Sequence, residues 1–234
     1  MHEPRFAIYF VPPADSTLYR FGAGFLGYDC YTGKDLAPSD TIGLGPSDWT
    51  ALTQAPRIYG FHATLKAPFH LTPTSTESDL AAELKRFAAA PRPPPAFEPV
   101  VRALGRFVAI VPGTTNRTVD RLAADCVAAF EKFRRPLGDD ERHKRLDAEL
   151  SQRQIENLDR WGYPFVFDDF RFHMTLTGSI EEDRQRAEIV ALLQGRFAAA
   201  CGGAPLSVTR LALLRQERPS TPFQVVCHAE LTAT

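Results

Sequence analysis

Two histidines of this chain occupy the same five-residue phrase. Phe61-His62-Ala63-Thr64-Leu65 is followed, 111 positions later, by Phe172-His173-Met174-Thr175-Leu176. Imidazole, with an unperturbed pKa of roughly 6.5, both takes and gives a proton near neutrality. Both phrases sit in runs of strand-like alternation, and side chains on a strand alternate between its two faces. His62 and Thr64 therefore share one face, and Phe61, Ala63 and Leu65 the other. The second copy repeats the division, with His173 and Thr175 opposite Phe172, Met174 and Leu176. The apolar faces suit a core. The polar faces, turned toward one cleft, would supply a general base, a general acid and two hydroxyl donors.

The same parity places Lys66 on the His62–Thr64 face and Arg171 on the His173–Thr175 face. Two cations there would neutralise a phosphate, and Arg171 could grip it bidentately. Each also reads as an exposed cation at a strand end. Tyr59 has the opposite parity and is expected in the core. Trp161 and Tyr163 flank the turn Trp161-Gly162-Tyr163-Pro164 and read either as a cover for a ribose or base or as structural packing. His70 lies in a third His-x-Thr, but Pro73 replaces the leucine, so an exposed loop histidine is expected. His143 and His228 have no partner pattern. No carboxylate stands at ligand spacing from His62, although Asp168 and Asp169 flank the second copy. Neither a metal nor a cofactor is expected.

Hydrolysis of a cyclic phosphodiester, the reaction implied by the family resemblance of these phrases, would use this inventory. A water must lose a proton as it attacks phosphorus, the leaving alkoxide must gain one, and charge on the non-bridging oxygens must be stabilised. The near-symmetry of the two phrases leaves open which histidine is base and which acid.

The elements that must position these residues are also legible. Phe6–Val11 reads as a buried strand ended by Pro12-Pro13. Residues 14–56 are rich in Gly, Pro, Ser and Asp and read as loops and turns. The first His strand spans 57–67, with Pro68 and Pro73 breaking regular pairing. Helices are expected over Thr76–Ala90, Thr118–Arg134 and Glu181–Ala200, and over the charged stretch 139–160 with a break near Ser151. Strands are expected over 96–104 and 106–111, over the second His strand between Phe165 and Gly178, and over 205–215 and 222–231. Gly22-Ala23-Gly24-Phe25-Leu26-Gly27 matches G-x-G-x-x-G, but it lacks the leading strand and following helix of a dinucleotide site. A His strand followed by a helix and strands occurs twice. The expected fold is α+β: a single bilobal, pseudo-twofold domain over 1–234, its lobes interleaved in sequence, with two antiparallel sheets, outer helices and a central cleft.

Composition narrows the function classes. The 234 residues are 44% hydrophobic with a formal net charge of −1, which fits a globular protein and lacks the basic excess of a binder of long nucleic acid. The expected partner is a small anionic substrate, which the family resemblance of the His-x-Thr phrases specifies as a small phosphorylated one. Cys30, Cys126, Cys201 and Cys227 form no C-x-x-C pair and read as reduced thiols. No signal-peptide pattern opens the chain, and no apolar run nears the roughly 18–20 residues of a membrane span, so a cytoplasmic location is expected.

The paired His-x-Thr-Leu phrases resemble the two-histidine (2H) phosphoesterase superfamily. The longer contexts Arg57–Phe69, Arg160–Pro164 and Phe170–Gly178 resemble a branch of it associated with carbon–phosphorus lyase (phosphonate breakdown) gene clusters. The resemblance implies a bilobal fold with one motif per lobe, and His62, Thr64, His173 and Thr175 as catalytic residues. It also implies metal-independent hydrolysis of a small cyclic phosphate, with a phosphorylated ribose 1,2-cyclic phosphate suggested by the gene association. The alternatives are processing of 2′,3′-cyclic or 2′–5′ RNA ends and a non-catalytic nucleotide- or phosphate-binding module.

Overall fold

A computed structural model describes residues 3–37, 43–146 and 149–233. In chain order the elements are β1 (Arg5–Phe10), α1 (Thr17–Leu26), β2 (Tyr28–Asp29), β3 (Lys34–Asp35), α2 (Pro46–Arg57), β4 (Ala63–Phe69), α3 (Glu77–Ala89), β5 (Ala96–Phe97), β6 (Pro99–Leu104) and β7 (Phe107–Pro112). They continue with α4 (Arg117–Ala129), α5 (Asp139–Leu146), α6 (Gln152–Trp161), β8 (Met174–Thr175), α7 (Asp183–Cys201), β9 (Leu206–Ser207), β10 (Arg210–Gln216) and β11 (Gln224–Glu230). Short 3₁₀ turns follow α4 (Glu131–Phe133) and α6 (Phe167–Asp169).

The class is α+β with antiparallel pairing, as expected. The expected two sheets meet edge to edge, at β4 and β8, and run on as one seven-stranded sheet in the order β11-β10-β1-β4-β8-β7-β6. Strand β1 lies between β10 and β4, and all of Phe6–Val11 is buried. Burial on both faces is why its sequence is a continuous apolar run rather than an alternation. Edge strand β11 does alternate between half-buried and exposed. Helix α3 packs on β10 and β11, α4 on β4, and α7 on β6 and β7.

Capping chemistry fixes several helix ends. Thr76 and Asp79 form a reciprocal capping box at α3, and Ser151 and Gln154 form one at α6. The break expected near Ser151 is therefore a helix start; residues 147–148 of that charged stretch lie outside the described residues. The helix expected over Thr118–Arg134 leaves α geometry at Ala129, and a 3₁₀ turn completes it.

Residues 14–56, read as loops, instead hold α1 and α2; residues 38–42 of that stretch lie outside the described residues. Tertiary packing overrides propensity here. A Cβ at Gly22 would lie 2.3 Å from the Phe61 ring, so the glycine that lowers helix propensity is what lets α1 approach the first His phrase. Gly27 caps α1 in the left-handed conformation (φ 74°). Pro46 stands in the first turn of α2, where its missing N–H costs nothing. Gly22 and Gly24 of the G-x-G-x-x-G run thus lie inside a helix, not in a phosphate-binding turn.

Candidate active site

The first His phrase does not begin its strand where alternation suggests. A turn with Gly60 at φ 71° separates α2 from β4, and His62 immediately precedes the strand. A side chain at Gly60 would be strained by that φ and would lie 2.7 Å from Cys30 Cβ. Beyond the turn the expected faces hold. Phe61, Ala63 and Leu65 are buried, as are Phe172, Met174 and Leu176.

One pairing brings the two phrases together. Ala63 of β4 lies opposite Met174 of β8 in antiparallel register. One step outward on either side sets His62 across from Thr175 and Thr64 across from His173. All four line one recess of about 470 Å³. They come from the middle of the sheet, the most constrained place available to them.

Both imidazoles are oriented alike. His62 Nδ1 lies 2.9 Å from the Gly60 carbonyl, and His173 Nδ1 lies 2.7 Å from the Arg171 carbonyl. A carbonyl only accepts, so Nδ1 carries the hydrogen in each ring and Nε2 keeps its lone pair. His62 Nε2 is 3.1 Å from Thr64 Oγ1, which donates to it. The His62 ring stacks on Tyr9 at 3.8 Å between centroids, and His173 packs against Phe107 at 5.6 Å. Burial pushes the His62 pKa down to about 4, against the pull of the Gly60 carbonyl, and the neighbouring His173 adds to the decrease. Burial also lowers the pKa of His173, opposed by the Arg171 carbonyl. Both shifts favour the neutral ring at pH 7.

Lys66 does not join the recess. Tyr9 pairs with Thr64 but Ile8 with Lys66, and Phe6 then pairs with Phe69, so β4 carries extra residues on both sides of Lys66. Such bulges break alternation. Lys66 turns inward and is only 3% exposed, with Nζ 2.7 Å from Glu131 Oε2 and 3.1 Å from the Val127 carbonyl near the end of α4. It is engaged by the end of α4 and by the carboxylate that follows it, and Ala67 lines the recess in its place. Arg171 is exposed, its Nη1 held by the Asp168 and Phe170 carbonyls at 3.0 and 2.6 Å. It stands with His173 at an adjacent apolar cavity rather than in the recess shared by both histidines.

Tyr163 lines both the recess and that cavity. Trp161 lines neither; it ends α6 and packs edge-on against Phe167 at 5.1 Å. Tyr59, expected in the core, is 36% exposed, stacks on Phe223 and lines the recess, because the turn at Gly60 ends strand parity before it. His70 is half-buried rather than free, with Nδ1 3.1 Å from the Pro4 carbonyl. Asp169 accepts from Arg153 at 2.8 and 3.0 Å, tying α6 to the segment that leads into His173. Among the described residues, no three His, Cys, Asp or Glu side chains gather as a metal site would require.

Two features carried no local signal. The apolar cavity, about 300 Å³, is walled by Leu104, Phe107, Val127, Phe165, Phe167 and Phe170. Phe167 reaches it through a φ of 53°, rare for a bulky side chain. Arg5, Lys144 and Arg145 also line the recess. Neither group forms a motif, because each is completed only across distant segments: Arg5 of β1 meets Lys144 and Arg145 of α5, and Leu104, Phe107 and Val127 meet Phe165, Phe167 and Phe170.

A family model described as "Protein of unknown function (DUF1045)" matches residues 64–224. The chain belongs to the DUF1045 family. It is 35% identical over 223 residues to a ribose 1,5-bisphosphate phosphokinase PhnN of Janthinobacterium sp. (strain Marseille), covering 94% of this chain and 49% of that protein. It is 32% identical over 187 residues to a protein of the same name from Laribacter hongkongensis (strain HLHK9), covering 76% and 41%. This DUF1045 chain thus spans about half the length of the curated relatives it matches. Among solved structures, a conserved protein of unknown function from Agrobacterium tumefaciens aligns over 97% of this chain and 85% of its own, with 13% identity and a TM-score of 0.47. E. coli LigT complexed with 3′-AMP aligns over 99% of both chains, with 14% identity and a TM-score of 0.42.

Proposed function

We propose that this chain is a metal-independent phosphodiesterase of the 2H type that hydrolyses a small cyclic phosphate, with one half-site from each lobe of a bilobal domain. The observation that carries the reading is the Ala63–Met174 register, which turns two distant His-x-Thr phrases into one four-residue cluster. His62, the more strongly depressed imidazole, serves as base: its Nε2 lone pair takes a proton from water as the water oxygen bonds to phosphorus. His173, protonated once an anion binds beside it, gives its proton to the departing sugar oxygen as the phosphorus–oxygen bond breaks. The proton taken by His62 then returns through solvent to His173, so one water is consumed. Thr64, whose hydroxyl leaves His62 Nε2 for the ligand, and Thr175 donate to the non-bridging oxygens.

The curated relatives are named for a kinase of ribose 1,5-bisphosphate. This chain has no G-x-x-x-x-G-K-[ST] phosphate loop, the nucleotide-cradling element of many kinases. A 5-phosphorylated ribose 1,2-cyclic phosphate, opened at the bond to O2, yields ribose 1,5-bisphosphate. That substrate joins the relatives' name to the chemistry of this cleft, within phosphonate breakdown.

The apolar cavity beside His173 favours a second reading, a 2′,3′-cyclic nucleotide or RNA end whose base enters it. Phosphorus NMR of EDTA-treated protein with both cyclic classes decides. We expect turnover of the ribose 1,2-cyclic phosphate with the new monoester on O1, unaffected by EDTA. Activity restored only by a divalent ion would refute the metal-free scheme. Turnover confined to nucleoside 2′,3′-cyclic phosphates would favour the second reading.

A further inference from the structure

The recess that holds both histidines is electrostatically lopsided. Arg5, at the start of β1, Lys144 and Arg145, in the last turn of α5, line it together with Thr64 and Thr175, and no carboxylate does so among the described residues. Arg5 Nε donates to Gln216 Oε1 at 2.8 Å, and its guanidinium lies 5.6 Å over the Phe223 ring. Both partners are uncharged, so the positive charge of Arg5 is not neutralised by them. Arg145 is half-buried, and its Nη1 donates to the carbonyl of Gly162, the C-cap of α6. A guanidinium has five N–H donors in a rigid fork, and one carbonyl occupies one of them. Among the described residues no ion pair to a carboxylate falls to Arg145. A phosphomonoester, dianionic near neutrality and able to take two parallel N–H bonds, matches a forked donor flanked by two further cations.

We propose that Arg145, with Arg5 and Lys144, forms a second anion subsite that binds a terminal phosphomonoester. The substrate class is then a small molecule carrying both a cyclic phosphodiester, held between His62 and His173, and a separate phosphomonoester. The proposal rests on the phosphodiesterase reading for the first half of that description. The apolar cavity offers Arg171 as its one Lys or Arg, beside the carboxylate of Asp169, so it is a poorer site for the monoester than the three cations of the recess.

Two measurements test it. The first is calorimetric titration of the full chain at pH 7 with ribose 5-phosphate, which has a monoester and no cyclic diester. Arg145→Met should weaken binding about 10- to 100-fold, the usual scale of a hydrogen bond to a charged group. Lys144→Gln, an exposed change that leaves the fold alone, should weaken it measurably as well, and His62→Ala should not. The second compares kcat/KM for ribose 1,2-cyclic phosphate with and without a 5-phosphate. The wild type should prefer the phosphorylated form, and Arg145→Met should erase most of that preference. Binding lost in His62→Ala but unchanged in both cation variants would overturn the subsite. So would hydrolysis of both cyclic phosphates at equal efficiency, with the phosphodiesterase reading left standing. Arg145-dependent binding with no cyclic phosphate hydrolysed would leave the subsite standing and defeat that reading instead.

Discussion

At the scale of single residues, the site depends on which lone pairs and protons are fixed. The carbonyls of Gly60 and Arg171 hold both Nδ1–H groups and leave each Nε2 to the recess. If the two rings share the proton transfers, His62→Ala and His173→Ala should each lower kcat/KM by about 10²–10⁴. The double variant should be little worse than the worse single one, since groups acting as a unit are not additive. Thr64→Val or Thr175→Val should cost less, about 10- to 100-fold. Lys66→Met should leave kcat/KM at the wild-type level, because its ammonium faces Glu131 and α4. The pH profile follows from the depressed pKa values. Under the proposed roles the free enzyme needs His62 neutral and His173 protonated, so kcat/KM should rise as pH climbs through about 4 and fall above the lowered pKa of His173. The expected profile is a bell with an acidic optimum; a rate that keeps rising from about pH 6.5 upward would exclude this assignment of roles.

At the scale of elements, α1 decides where His62 stands. Its Gly22 meets the ring of Phe61, the residue before the histidine. Gly22→Ala should overpack this contact and destabilise by about 1–3 kcal/mol, with kcat/KM falling as Phe61 displaces His62. Gly24 lies two residues along the same helix with nothing within 4 Å of where its Cβ would be. Gly24→Ala should stabilise by about 0.5–1 kcal/mol through helix propensity alone and leave the rate unchanged. Thermal unfolding of the pair separates close packing from propensity. Strand β4 makes a related point. Its bulges turn Lys66 away and Ala67 toward the recess, so the strand that carries Thr64 is irregular just beyond the His-x-Thr phrase.

At the scale of the whole molecule, burying imidazoles makes stability depend on pH. His62, His70 and His173 all have folded pKa values below the unfolded value, with burial the largest cause. Between about pH 6.5 and 4 the unfolded chain therefore binds more protons than the folded one, so stability falls as pH falls through that window. The His62 share is at most about 3 kcal/mol, from its shift to about 4. Below that window the lowered carboxylates act in the same direction; Asp169 is an example, held down chiefly by its hydrogen bond from Arg153. Urea unfolding at pH 7 and pH 4.5 should show a lower midpoint in acid, and His62→Ala should reduce the difference. An equal acid loss in wild type and variant would show that His62 is not buried neutral.

Alternation and capping are local backbone properties, and they were legible in the chain itself. His62 and Thr64 share a face opposite Phe61, Ala63 and Leu65; Thr76 and Ser151 open helices; and the strands after Gly105 and Thr209 lie about where their apolar runs place them. Loop-like composition concealed α1 and α2, because a glycine chosen for contact with Phe61 looks the same in sequence as one chosen for flexibility. Parity misplaced Lys66 and Tyr59, since a bulge and a left-handed glycine each shift the face of what lies beyond them. The register that sets Ala63 against Met174, and the meeting of Arg5 with Arg145, exist only in the tertiary structure. Alternation fixes which residues share a face, but which strand that face meets is set by pairing between segments more than a hundred residues apart, and no local pattern records it.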